Sequence, residues 1–182
     1  MRNGHDMTEL AGSRHTFLAT AVAFLAVIGA LVPGPLQADT KRGSMTNLPL
    51  PRFVSLKAAE SNVRRGPSKE HRIDWVFKMP GLPLRVTAEF EHWRRVEDSE
   101  GQGGWIYYSL LSGVRTVLFE PERTPLLTRP DPDAPVVAEA EAGVIGRLGA
   151  CSLEWCQVTA GGEKGWVTKT ALWGVAVDEV RE

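Results

Sequence analysis

The side chains of this sequence most suited to chemistry are two cysteines, Cys151 and Cys156, and four histidines, of which His71 and His92 lie beyond residue 40. The C-x4-C spacing of CSLEWC is wrong for a CxxC redox pair, and two thiols alone do not complete a structural zinc site. Neither histidine has a Cys or His at ligand spacing, so no metal is expected. Ser55, Ser61 and Ser109 sit in no nucleophile elbow. The carboxylate pairs Glu89 with Glu91 and Glu97 with Asp98 flank hairpin ends, where they are ordinarily solvated, and no glycine loop cradles phosphate. The residues point to a protein without catalytic groups, metal or cofactor.

The N-terminus reads as an export signal. Arg2 and Arg14 precede FLATAVAFLAVIGALV, a run of sixteen uncharged residues, then PGP (33–35) and LQA (36–38), so residues 1–38 are expected to be a signal peptide cleaved after Ala38, or else an uncleaved anchor. Such a run falls short of the roughly 20 residues of a spanning helix. Met7 would serve as a start as well as Met1. Either way the remainder faces an oxidising compartment outside the cytoplasmic membrane, in the periplasm or cell envelope. The 21 basic and 22 acidic residues give a net charge of −1 and no global reason to expect nucleic acid or an anionic membrane as partner; a membrane enters only if the leader stays. The balance hides an asymmetry: Lys41 to Phe119 holds 13 basic and 8 acidic residues, Glu120 to Glu182 holds 6 and 11.

After residue 45 short strand-type runs alternate with turns, LRVTAEF (84–90) being the cleanest, and many short strands mean a small barrel or sandwich. The chain also repeats itself. GWIYYSLLSGV (104–114) matches GWVTKTALWGV (165–175), Trp93 matches Trp155, Val96 Val158, Gly81 Gly143, Arg85 Arg147, and VRRGP (63–67) falls on LLTRP (126–130), a period of about 62 residues. This divides the chain into a flexible linker over 39–50, one domain over 51–119, a second over 120–177 and a tail over 178–182.

NVRRGPS (62–68), the Gly81 turn, the apolar strand after it, Trp93 with Val96, and GWI resemble the bacterial SH3-like domain. The second copy keeps W-x-x-V and GWV, although LLTRPDPDAP replaces the opening pattern. The whole is similar to exported bacterial proteins with tandem SH3-like domains, a family of generally unassigned biochemical role. The resemblance implies an all-β fold of two tandem SH3-like small β-barrels and a binding rather than catalytic role. By likeness to SH3-like domains attached to cell-wall enzymes, the ligand would be peptidoglycan or its stem peptide, or an extended envelope peptide or protein. The alternative is a structural or assembly partner of another envelope protein.

Trp93 and Val96 are three apart, so on a regular strand they face opposite ways; with Val96 in the core Trp93 is outside, unless a bulge reverses them. Exposed aromatics on a small barrel form the grooves that hold extended peptides. Trp75, Trp93, Tyr107, Tyr108 and Arg72 are therefore the candidate ligand-binding residues, and the first copy, basic and aromatic, is the better binder. Where it has Trp75, Phe77, Tyr107 and Tyr108, the second has Val137, Glu139, Thr168 and Lys169. The same aromatics would also suit a contact between the two modules, whose opposite charges favour docking. Trp105 and Trp166, each following Gly, are expected as half-buried staples. Arg64, Arg65 and Arg72 lie on the polar first loop, solvated or facing an anion.

On a hairpin with SLEW at its tip, Cys151 and Cys156 lie across from each other, and an exported protein would oxidise them, which for so short a loop stabilises by about 2 kcal/mol. In the first copy the aligned residues are Glu89 and Arg94, an ion pair clipping the same hairpin. The mass of the purified exported protein should rise by two hydrogens on reduction.

Overall fold

A computed structural model describes residues 41–182, and the leader expected over 1–38 lies outside the described residues. The first 7-stranded antiparallel sheet comprises β1 (Arg52–Leu56), β2 (Ser61–Arg64), β3 (Ile73–Phe77), β4 (Pro83–Phe90), β5 (Trp93–Glu97), β6 (Gly103–Tyr107) and β7 (Leu111–Ser112), in the order β3-β2-β6-β5-β4-β1-β7. The second comprises β8 (Thr116–Phe119), β9 (Arg123–Leu127), β10 (Val136–Glu141), β11 (Ile145–Cys151), β12 (Trp155–Ala160), β13 (Glu163–Thr168) and β14 (Leu172–Trp173), in the order β10-β9-β13-β12-β11-β8-β14. The order is the same in both. In each, a 3-10 turn, Tyr108–Leu110 or Lys169–Ala171, precedes the short closing strand. The fold is all-β, two tandem SH3-like barrels.

The boundary between them differs from the expected 119/120. RTVLF (115–119) opens the second barrel, because β8 pairs with β11 and β14, as β1 pairs with β4 and β7. Residues 41–50 form a closed turn instead of a free linker: Leu50 N–H donates to Lys41 O at 2.7 Å, Gly43 N–H to Leu48 O at 2.8 Å, and Leu50 itself is buried. The tail is docked as well, Cys151 and Arg181 exchanging two backbone hydrogen bonds of 2.8 and 3.1 Å.

Each core is built by strand alternation. Leu84 and Val86 of β4 face inward with Val63, Val96 and Ile106; Leu148 of β11 does so with Leu126, Val158 and Val167. The alternation of LRVTAEF does not run to its end. A bulge after Val86 shifts the register, so that Glu89 pairs with Arg94 and turns inward while Phe90 is left exposed. The same shift occurs after Leu148, and there the inward pair is the disulfide Cys151–Cys156. The glycine of each GW pair has a packing role. A Cβ on Gly104 would stand 2.6 Å from the Arg64 carbonyl oxygen, and one on Gly165 2.6 Å from Leu126 Cβ, where the β6 or β13 backbone crosses β2 or β9. The tryptophans that follow, Trp105 and Trp166, are half-buried.

Neither Trp75 with Phe77 nor Tyr107 with Tyr108 joins the barrels. That contact belongs to Trp173, which meets Phe53 edge to face at 5.4 Å and lies under the Arg85 guanidinium at 5.1 Å. Arg115 stands over the other side of the junction, 5.6 Å from the Phe53 ring, and its guanidinium binds both oxygens of Glu179 at 2.7 and 3.0 Å. One hydroxyl crosses the seam, Thr116 Oγ1 donating to Gly81 O at 2.6 Å, and another holds the connector, Ser55 Oγ donating to Val114 O at 2.8 Å. With a connector of three residues between β7 and β8, this contact joins the barrels in one compact unit. Trp173→Ala should cost about 1–3 kcal/mol, read as a lower denaturation midpoint of the full chain.

Candidate functional site

A groove of about 220 Å³ runs along the outer face of the first barrel, lined by Glu60, Ser61, Asn62, Arg64, Lys69, Trp93, Tyr107 and Leu110. Three sequence elements meet there. The outward face of the β5–β6 ladder supplies Trp93 and its direct partner Tyr107, their rings edge to face at 5.5 Å. Leu110 comes from the 3-10 turn, and Arg64 and Lys69 come from the end of β2 and the loop after it.

Trp93 lies on the face opposite Val96, as its spacing requires, but only 8% of it is exposed and it is not open to solvent. Its edge is available within the groove and most of its surface is covered, partly by Tyr107. The accessible aromatic surface is instead Tyr108, 48% exposed. Tyr108 stacks at a tilt on Tyr107 (centroids 5.3 Å apart) and on His92 (5.7 Å), and its amide donates to His92 O at 2.8 Å. Trp93, Tyr107, Tyr108 and His92 thus form a continuous aromatic corner beside the groove.

That corner is positioned by buried charge. The two-residue turn Glu91–His92 holds Glu91 at φ 45°, a left-handed conformation unusual for a residue with a side chain. Arg94 braces it, Nη1 donating to Glu91 O and to Trp93 O at 2.9 Å each, with the guanidinium 5.8 Å from the Tyr108 ring centroid. Arg94 is in turn paired with Glu89 at 3.5 Å, and the Glu89 side chain is fully buried. Glu89 accepts from the Met45 and Thr46 amides at 2.9 Å, from the Thr46 hydroxyl at 2.7 Å and from Arg52 Nη2 at 2.7 Å. Burial alone would push this carboxyl up; the Thr46 hydroxyl, the two amides and Arg52 outweigh it and hold the pKa down at about 2. The expected hairpin ion pair therefore exists, buried and multiply bonded rather than exposed.

The remaining candidates lie elsewhere. Arg72 is held by Asp74, its Nη2 at 2.7 Å, and Arg65 binds the same carboxylate at 2.9 Å, which lowers the Asp74 pKa through the two side-chain hydrogen bonds. Neither lines the groove with Trp93 and Tyr107; Arg65 and Asp74 border a separate polar hollow of about 370 Å³ with Arg95, Glu97 and Trp105. Trp75 is 46% exposed on the sheet-edge strand β3, outside both. Lys69, Leu110 and His92 were not singled out as ligand contacts from the sequence. Arg64 combines two roles: Nη1 donates to Lys69 O at 2.9 Å and His71 O at 2.7 Å, so the cation that faces the groove also shapes the loop carrying Lys69.

The second barrel has the corresponding groove, about 300 Å³, but Leu127, Pro132 and Thr168 stand where the first has Arg64, Lys69 and Tyr107. At the position of Tyr108, Lys169 is buried, its ammonium donating to Val177 O and Glu179 O at 3.1 and 2.6 Å, so the tail covers that corner. Among the described residues no three His, Cys, Asp or Glu side chains converge as metal ligands.

The chain belongs to the bacterial SH3 domain family, whose sequence profile matches residues 57–113 and again 120–174. Among solved structures it is similar to NlpC2 of Trichomonas vaginalis (10% identity over 68% of this chain and 48% of that one, TM-score 0.31). It is also similar to NlpC1 of the same organism (11%, 76% and 51%, TM-score 0.32) and to an NlpC/P60 family protein of Bacillus cereus (12%, 66% and 55%, TM-score 0.31). The chain spans about half the length of each. No curated protein matches it in sequence.

The pH dependence follows from Glu89. Its folded pKa lies below the ordinary 4.5, so its contribution is complete above pH 4.5 and is lost as pH falls towards about 2. Chemical denaturation of Glu89→Gln at pH 7 should show a loss of about 3 kcal/mol, with less further loss than the wild type on going to pH 2.5.

Proposed function

We propose that this protein is a non-catalytic binding module of the cell envelope that recognises peptidoglycan, or an extended peptide of similar chemistry, through the groove of its first barrel. The observation that carries this reading is the groove itself: an aromatic floor of Trp93 and Tyr107, the cations Arg64 and Lys69 on one wall, and the exposed Tyr108–His92 stack at its end. A stem peptide offers carboxylates to the two cations and apolar side chains to the floor, while a pyranose ring has an apolar face suited to Tyr108. Membership of a family of binding domains fits this, and the basic residues and long apolar run at residues 2–32 support export.

A second reading, an assembly partner for another envelope protein, is favoured by the unpaired edge strands β3 and β10. The two are separated by co-sedimentation with purified peptidoglycan. The wild-type chain should pellet with it, and Tyr108→Ala and Lys69→Glu should each weaken retention by about fivefold or more without lowering the melting temperature. A wild-type chain that stays in the supernatant would exclude the cell-wall reading.

A further inference from the structure

The corresponding edge strands of the two barrels carry opposite shapes. On β3 Trp75, which shares the face of buried Phe77, is 46% exposed, and Met79 just beyond the strand is 47% exposed; the bulge between Ile73 and Trp75 puts Ile73 beside Arg64 on the other face. Trp75 pairs with Val63 across the ladder, and the equivalent pair in the second barrel is Ala138 with Leu126. Counted this way, Trp75 corresponds to Ala138 and Phe77 to Ala140. Where the first barrel fills its edge with two aromatic rings, the second has two alanines.

The consequence is a hollow of about 290 Å³ beside β10, lined by Leu126, Ala138, Ala140, Val144 and Ala160, with Glu139 and Glu141 at its rim. A half-exposed indole and an apolar recess thus sit on the corresponding edge strands of one molecule. Each strand ends its sheet, with its outer backbone edge unpaired among the described residues. The charges match as well. Around Trp75 the exposed cations are Arg65, Arg72 and Lys78, against which stands Asp74; around the recess stand Glu139 and Glu141, with Arg123 3.9 Å from Glu139.

We infer that the chain self-associates head to tail, β3 of one copy lying along β10 of the next with Trp75 seated in the Ala138–Ala140 recess. The occupant is a second copy because the recess has alanine at the position where the first barrel carries the half-exposed ring of Trp75, and because the flanking charges of the two strands are complementary. The contact is heterologous: each molecule uses its Trp75 on one side and its recess on the other, so association continues beyond a dimer. Neither surface includes the groove of the first barrel, so ligand binding is left free.

Sedimentation velocity of the full chain, in dilute nonionic detergent so that the apolar run 17–32 does not drive association, tests this by complementation. The wild type should form concentration-dependent species larger than dimers. Trp75→Ala, which lacks the knob, and Ala138→Trp, which fills the recess, should each weaken association by about tenfold or more. Mixed in equal amounts, they should form dimers that grow no further, since only one productive contact remains, and that recovery shows that both variants are folded. Glu139→Lys with Glu141→Lys should weaken the wild-type contact, and the loss should lessen at high salt. A wild type that stays monomeric at every concentration would overturn the inference, as would single variants that associate like the wild type or a mixture that fails to form dimers.

Discussion

One cross-strand pair at the end of the long hairpin sets the conditions for the rest of the molecule. Closing a barrel this small bends β4 and β11 with a bulge, and the bulge turns one residue pair inward near the barrel's open end, where little apolar surface is available to receive it. The two copies meet this constraint with different chemistry. The second joins the pair covalently as Cys151–Cys156. The first places Glu89 against Arg94 and then must satisfy a fully buried carboxylate, which it does with Arg52 and the backbone of the turn at Met45 and Thr46. A buried charge without such partners would be untenable. The order of residues 41–50 and the position of Arg94 under Tyr108 both descend from that requirement.

The two barrels have accordingly diverged in what they expose. Chain segments outside the barrels dock at the same hairpin in each: the turn at residues 43–47 on Glu89, the tail at residue 181 on Cys151. In the second barrel the tail also takes up Lys169 and closes the corner that Tyr108 leaves open in the first. Trp173 shows a third kind of divergence. It occupies the place of Ser112 in the closing strand and spends its ring on Phe53 and Arg85 of the neighbouring barrel. What began as a duplication has become one groove-bearing barrel and one barrel fastened to it.

Much of this was legible in the residues, and the exceptions share a cause. The repeat exposed the fold, the GW closures and the equivalence of Glu89–Arg94 with the cysteine pair, because these are positions where side-chain type is dictated by the backbone they serve. Periodicity also put Trp93 on the correct face. It could not show that Tyr107 would cover it, since cover depends on the ladder register between β5 and β6. The bulge after Val86 broke the pattern of LRVTAEF with no glycine or proline to announce it. Arg64 was open to reading as a cation on the first loop, but Lys69 was hidden because the bonds that organise its loop end on backbone carbonyls, which carry no sequence signal. The offset of 62 residues put Val137 opposite Trp75 and Glu139 opposite Phe77, whereas the ladders pair them with Ala138 and Ala140, a slip of one residue that changes the face concerned.

The turn over residues 41–50 has a mechanical meaning. Tension applied to the chain from its N-terminal side reaches the hydrogen bonds between Lys41 and Leu50 and between Gly43 and Leu48, and then the contacts to Glu89, before it reaches β1. These bonds are loaded one after another, so they peel apart instead of resisting together. Each residue released lengthens the chain by about 3.4 Å, until the pull reaches the contacts that satisfy the buried Glu89 carboxylate. The turn thus stands between a pull from the N-terminal side and the strands of the first barrel.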